Sequence, residues 1–230
     1  MNENQTNINT IFDKAVALVK NPVAFYRGMP KRGGYLDPVL YLVVMAALAG
    51  LIISFYFLFG FGVVGGPAAG VGTILMTVVT SLVGSFVGAA ILFVVWKLMG
   101  SNESFETAYR CTAYASVTYP FSAILGPIPY FGSMIIMLYG FYLLSIASVE
   151  VHGLEPRKVQ IVFGILAALV VISNLSTEIA LRRMASNAET FSERLNGFEE
   201  LDAMNPEQAG KAVGQFVNGF DAARKTSGGN

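Results

Sequence analysis

The sequence predicts an all-α polytopic membrane protein: five transmembrane helices, preceded by N-terminal amphipathic helices and followed by a C-terminal extramembrane helical tail. Two observations predict it. Between Pro38 and Arg182 run five long apolar stretches separated by short linkers. The 230 residues are 54% apolar and only 13% charged, an imbalance that a soluble domain of this length cannot hide in one core without large exposed apolar patches. A stretch such as Val39 to Phe59 carries no charge, and as a helix rising about 1.5 Å per residue it matches the roughly 30 Å hydrocarbon core.

Three segments follow from this reading: cytosolic amphipathic or interfacial helices over 1–36, a five-span membrane domain over 37–182, and an extracytosolic helical tail over 183–230. In the first, Ile8, Ile11, Phe12, Ala15, Leu18 and Val19 recur at helical spacing, with Asp13, Lys14 and Lys20 on the other face. This helix is too short and too charged to span. Asn21-Pro22 then ends it and starts another, with Asn21 as N-cap and Pro22 in the first turn. Phe25, Tyr26 and Met29 lie on that helix, flanked by Lys20, Arg27, Lys31 and Arg32. Cations beside aromatics suit the headgroup layer of an anionic leaflet, so Lys14, Lys20, Phe25, Tyr26, Arg27, Lys31 and Arg32 form the expected lipid interface.

The five spans are read at 39–59, 71–96, 111–126, 131–149 and 159–181. The third is the shortest, and Thr118, Pro120, Ser122, Gly126, Pro127 and Pro129 predict a kinked helix that ends in a rigid turn. A re-entrant hairpin made of spans three and four has the same signature. Five basic residues precede span one, two lie between spans two and three (Lys97, Arg110) and two between spans four and five (Arg157, Lys158). The linkers 60–70 and 126–130 have none. The positive-inside rule then puts the N-terminus in the cytosol and the tail outside, in a multi-pass protein of the cytoplasmic (inner) membrane. The polar start, without a basic segment feeding an apolar core, does not read as a cleavable signal peptide.

Span two carries Gly84-xxx-Gly88, small residues one turn apart that let helices approach, so Gly84 and Gly88 are the expected packing face, within the chain or between molecules. Asn174 and Glu178 are the polar pair of span five. Glu178 stands four residues before Arg182, which suits an interfacial ion pair, or it joins Asn174 in a polar contact between spans. In the tail, Phe191, Leu195, Phe198, Phe216 and Phe220 fall on apolar stripes interrupted at Asn205-Pro206, and are expected to bury themselves in a homo-oligomer.

Candidate chemistry is sparse. The only histidine, His152, falls in a linker, so no serine–histidine dyad is expected. His152 with Glu150 and Glu155 makes a poor metal set, one imidazole beside two loop carboxylates. A single cysteine, Cys111, rules out an intramolecular disulfide and reads as small core filler. Net charge is zero and the cations form no stripe, so no nucleic-acid partner is expected. The reading is of a protein without enzymatic activity, cofactor or metal, whose partners are the lipid bilayer, copies of itself and a membrane protein of the transporter type. A small channel or transporter subunit is the alternative.

The order of several short signals resembles the Yip (Ypt/Rab-interacting protein) domain family in its bacterial or archaeal form. They are Asn21-Pro22 with Phe25, Tyr26 and Met29; Tyr109-Arg110, Tyr114-Ala115-Ser116 and Pro120; Ile128-Pro129 and Gly132; and Val151-His152-Gly153. The resemblance implies five membrane helices, a cytosolic N-terminus and no known catalysis. Its eukaryotic members are associated with Rab-type GTPases and carry an Asp-Leu-Tyr-Gly-Pro-like motif before the first span. Here Tyr35-Leu36-Asp37-Pro38 stands in its place. Some bacterial relatives are linked to exporters or membrane-stress systems.

Overall fold

The computed structural model describes residues 8–59 and 66–203, together with Gly210, Lys211, Gly214 and Asn218. Among them every regular element is helical. The chain divides into two compact units, Met1–Leu175 and Ser176–Asn230.

Helix α1 (Ile8–Lys20) buries Ile11 and Leu18 and leaves Phe12, Val16 and Val19 exposed along its other edge. Helix α2 (Pro22–Gly28) begins as expected, with Asn21 Oδ1 accepting from the Ala24 amide at 3.0 Å and Pro22 in the first turn, where no amide is needed. Its Tyr26 and the following Met29 are buried.

The next two helices, α3 (Leu36–Leu58) and α4 (Gly66–Leu98), are long and apolar enough to cross a membrane, as are α7 (Phe131–Glu150) and α8 (Pro156–Ala203) over part of its length. Helices α3 and α4 approach closely at Gly50, where a Cβ would stand 2.9 Å from the Ile74 Cα. Ala46 and Ala49 on the same helix are also buried. Gly84 faces open space and Gly88 would meet only the Thr112 methyl, at 4.0 Å. Within the chain, then, neither glycine of the motif makes a close helix contact.

The predicted third span is two shorter helices, α5 (Phe105–Tyr114) and α6 (Thr118–Leu125), joined by a 3₁₀ turn at Ala115–Val117. The cause is local. Pro120 has no amide to donate to the carbonyl four residues back, and its ring crowds that turn. The Thr118 hydroxyl donates to the Ala115 carbonyl at 3.0 Å, satisfying one acceptor at the break. Ser104 caps α5 through the Thr107 amide at 3.3 Å. After α6, a turn with Tyr130 at φ 63° leads into α7.

Two ends of the bundle can be told apart. At one, the linker after α4, the turn after α7, and helices α1 and α2 come together through Arg27–Glu150, Lys31–Glu103 and Ser101–His152. At the other, the Tyr56 hydroxyl of α3 donates to the Ile124 carbonyl of α6 at 3.4 Å. The largest fully buried side chains, Trp96, Tyr26, Tyr41, Tyr109, Tyr114 and Phe163, are bulky aromatics, whereas α4 exposes Leu75, Met76, Val79, Val83, Val87, Ile91 and Val94 along its length. Such a helix is solvated by hydrocarbon, not water.

Helix α8 runs without a break through the expected boundary at 182/183. Leu195, Phe191 and Phe198 fall within it, but their side chains, like Phe216, Phe220 and the Asn205-Pro206 break, lie outside what the structure describes.

Candidate functional site

The end that gathers the charged linkers is a polar cap, and it is built in three parts. In the first, Asp37 in the opening turn of α3 accepts from Lys14 of α1 at 2.5 Å and from the Tyr114 hydroxyl at 2.5 Å. A carboxylate there also suits the positive end of the α3 dipole. Phe25 packs edge-on to Tyr26 and Tyr114, and Tyr41 packs edge-on to Tyr114, so an aromatic cluster underlies the ion pair.

In the second part, α5 holds the loop between α2 and α3. Arg110 is nearly buried, its side chain 3% exposed, and donates from Nη2 to the Gly34 carbonyl at 2.8 Å. Glu106, one turn earlier, accepts the Gly34 amide at 2.7 Å and stands 3.4 Å from Arg110 Nε, an ionic contact without hydrogen-bond geometry. Gly33 and Gly34 take φ of 133° and 80°, and a Cβ at Gly33 would stand 3.0 Å from Arg110 Nη2. Only glycine lets the chain fold over the guanidinium in this way. Lys31 closes the clamp with an ion pair to Glu103 at 2.6 Å, and Thr107 donates to the Lys31 carbonyl at 3.1 Å.

The third part centres on His152, which lies in the linker between α7 and α8 as expected but is turned inward and paired with a serine, which was not expected. It is buried, with its ring stacked on Trp96 at 4.0 Å, its Nδ1 2.8 Å from Ser101 Oγ and its Nε2 3.9 Å from Cys111 Sγ. Trp96 donates in turn to Ser148 Oγ at 2.7 Å. Burial pushes the imidazole down to about 4, with Lys31 and Lys97 pushing the same way and Glu103 opposing. A serine–histidine pair thus exists after all. Ser101 and His152 are only 4% and 7% exposed, however, so the pair presents no face to a substrate. Glu150 is engaged by Arg27 at 2.9 and 3.1 Å, and Glu155 by Lys158 at 3.6 Å, so neither joins His152. No group of metal-ligating side chains is found among the described residues.

Of the seven residues expected at a lipid interface, Lys14, Arg27 and Lys31 pair with bundle carboxylates instead. Tyr26, only 1% exposed, turns into the core, where its hydroxyl lies 3.4 Å from the Cys111 carbonyl, and Phe25 is half-buried beside it. Sequence periodicity finds the aromatic face but not what covers it. Lys20 and Arg32 stay exposed. Asn174 borders a cavity of about 10 Å³ beside Tyr130, Ser133 and Met137, room for about one water. Glu178 is half-buried, and the Arg182 side chain lies outside the described atoms.

Sequence reading alone does not single out Glu106 or Trp96, and it meets Asp37 and Tyr114 only inside short motifs without a role. The signal was there: Tyr109-Arg110, Tyr114, Val151-His152-Gly153 and Tyr35-Leu36-Asp37-Pro38 all converge on this cap.

Four long apolar helices and a polar cap tied to two short N-terminal helices define a multi-pass helical membrane protein. The Yip1 domain family model matches residues 16–176, more than half of the chain and all of the cap except Lys14, and the chain belongs to that family of membrane proteins, which is not known for enzymatic activity. Neither a curated protein nor a solved structure matches it.

Proposed function

We propose that this protein is a non-enzymatic scaffold or accessory protein of the cytoplasmic (inner) membrane, acting in membrane organisation or as the partner of a transport or export system, in a family member of the bacterial or archaeal type. The observation that carries this reading is the use to which the cap's charges are put. Lys14–Asp37, Arg27–Glu150 and Lys31–Glu103 join one part of the protein to another, Glu106 and Arg110 hold the Gly34 backbone, and together these contacts tie α1, α2 and the loop after them to the bundle as a platform. On that platform Lys20 and Arg32, with the exposed edge Phe12, Val16 and Val19, remain for lipid headgroups or a partner. The chain crosses five times in this reading, α5 and α6 together making the third passage, which the Tyr56–Ile124 contact at the far end supports. The cap faces the cytosol and the tail lies outside. The tail stripe Phe191, Leu195, Phe198, Phe216 and Phe220, with the uncovered Gly84, serves self-association.

The test is photo-crosslinking from Lys20 and Arg32 in native membranes, followed by mass spectrometry. A scaffold captures one membrane-protein partner repeatedly from both positions. Capture of abundant proteins in proportion to their abundance contradicts the reading. A channel or transporter subunit is the second reading, favoured by the 3₁₀ break beside buried Tyr41 and Ser116 hydroxyls that have no hydrogen-bond partner. Solute flux through proteoliposomes of the purified protein separates the two.

A further inference from the structure

A groove of about 450 Å³ lies between α7 and α8 within the Met1–Leu175 unit, roofed at the cap end by Val23 of α2. Its walls are apolar, with Leu138, Tyr142 and Ile146 on one side and Phe163, Gly164 and Ala167 on the other. The hydroxyl of the lining Ser145 is already used, donating to the Phe141 carbonyl at 2.8 Å. The walls therefore offer a polar solute little. Flanking residues Leu138, Tyr142, Ile161 and Ile165 are each about half exposed on helices long enough to span, so the groove opens sideways into hydrocarbon.

Size and length choose the occupant. The lining positions of α8 run from Pro156 to Ala167, about 16 Å at 1.5 Å per residue and about half of the hydrocarbon core. Half of the core is one leaflet, and a leaflet is one acyl chain thick. A helix about 10 Å across fills roughly 1,200 Å³ over that length, far more than the groove holds. One acyl chain fits where a helix of a second copy does not. Filling the groove restores dispersion contacts that its walls otherwise lack.

The rim gives the headgroup. Glu150 and Gln160 line the cap end, with Arg27 forked onto Glu150. Arg157, one residue beyond the lining Pro156, has no carboxylate partner among the described residues, whereas Lys158 is balanced by Glu155. The rim thus has one cation in excess at the depth where a phosphate sits. We propose that this groove is a binding site for an anionic phospholipid, with one acyl chain between α7 and α8 and its phosphate at Arg157 and Arg27. The site rests on the membrane-spanning reading of α7 and α8 and not on the scaffold role.

Gly164 gives a direct handle, because a Cβ there meets nothing within 4 Å and a large side chain grows into the groove. The full-length protein is placed in nanodiscs of equal phosphatidylglycerol and phosphatidylcholine, released, and weighed by native mass spectrometry. The wild type is expected to retain one phosphatidylglycerol. Gly164→Trp should lower that adduct at least tenfold with an unchanged melting midpoint, and Arg157→Gln should abolish the preference over phosphatidylcholine. A wild type that releases lipid-free, retains both lipids equally, or appears as a lipid-free dimer overturns the proposal, as does a folded Gly164→Trp with an undiminished adduct. A phosphatidylglycerol with a photoreactive acyl chain tests the wild type without any substitution. Its label should concentrate on residues 138–146 and 160–167, and even labelling of the exposed faces of α3 and α4 contradicts the site.

Discussion

Asp37 ties two other elements of the cap to α3, accepting from Lys14 and Tyr114 while standing at the N-terminus of that helix. Asp37→Asn removes the charge and leaves the Tyr114 hydroxyl and the ammonium with a poorer acceptor. A loss of about 1–3 kcal/mol follows for a charge-assisted network of this kind, read as a lower unfolding midpoint in detergent. His152 makes a second prediction, with a sign fixed by its burial. Its native form is neutral, with the imidazole pushed down to about 4 against an ordinary value near 6.5, so below pH 6.5 the unfolded chain binds the extra proton. Stability is therefore fully present above pH 6.5 and declines as pH falls toward 4, by up to about 3 kcal/mol. His152→Gln should flatten that slope in a pH series of thermal unfolding. Neither role is legible in sequence. A lone histidine between two apolar runs looks like a loop residue, and only the folded chain shows Trp96 and Ser101 closing over it.

At the scale of elements, the apolar runs and the α1–α2 start were legible because each signal is local: uninterrupted apolar length, and Asn21-Pro22 as a cap with a proline in the first turn. Where a signal depends on a neighbour, the sequence misleads. Gly84-xxx-Gly88 matches the spacing of a packing motif, yet the close approach is made by Gly50 against Ile74. Gly50→Leu should cost about 1–3 kcal/mol by forcing α3 and α4 apart, while Gly84→Leu stays within about 0.5 kcal/mol, measured by denaturant titration in micelles. The aromatic side of α2 is a similar case, since its periodicity is plain but Tyr26 faces protein, not lipid. The kink of span three was legible through Pro120. That its first half, α5, serves the cap was not, because the partners of Glu106, Thr107 and Arg110 are some seventy residues away in sequence. For the tail, self-association predicts that Phe191→Asp with Phe198→Asp lowers the detergent-corrected mass in light scattering while the spans remain inserted.

For the whole molecule, the central claim is an odd number of crossings that sets the cap and the tail on opposite sides. Among the described residues four helices are long and apolar enough to span alone, so the claim turns on α6 completing a third passage after the α5 break. The contact of Tyr56 with Ile124 and the convergence of residues 101, 103, 150 and 152 on the cap argue for it. The most direct measurement is labelling with an impermeant maleimide in intact cells, with Cys111→Ser as background and single cysteines at Asn102, Ile128 and Asn187, all exposed positions. The account predicts that Ile128→Cys and Asn187→Cys are labelled from outside and Asn102→Cys only after permeabilisation. Labelling of Asn102→Cys and Asn187→Cys from the same side would contradict it.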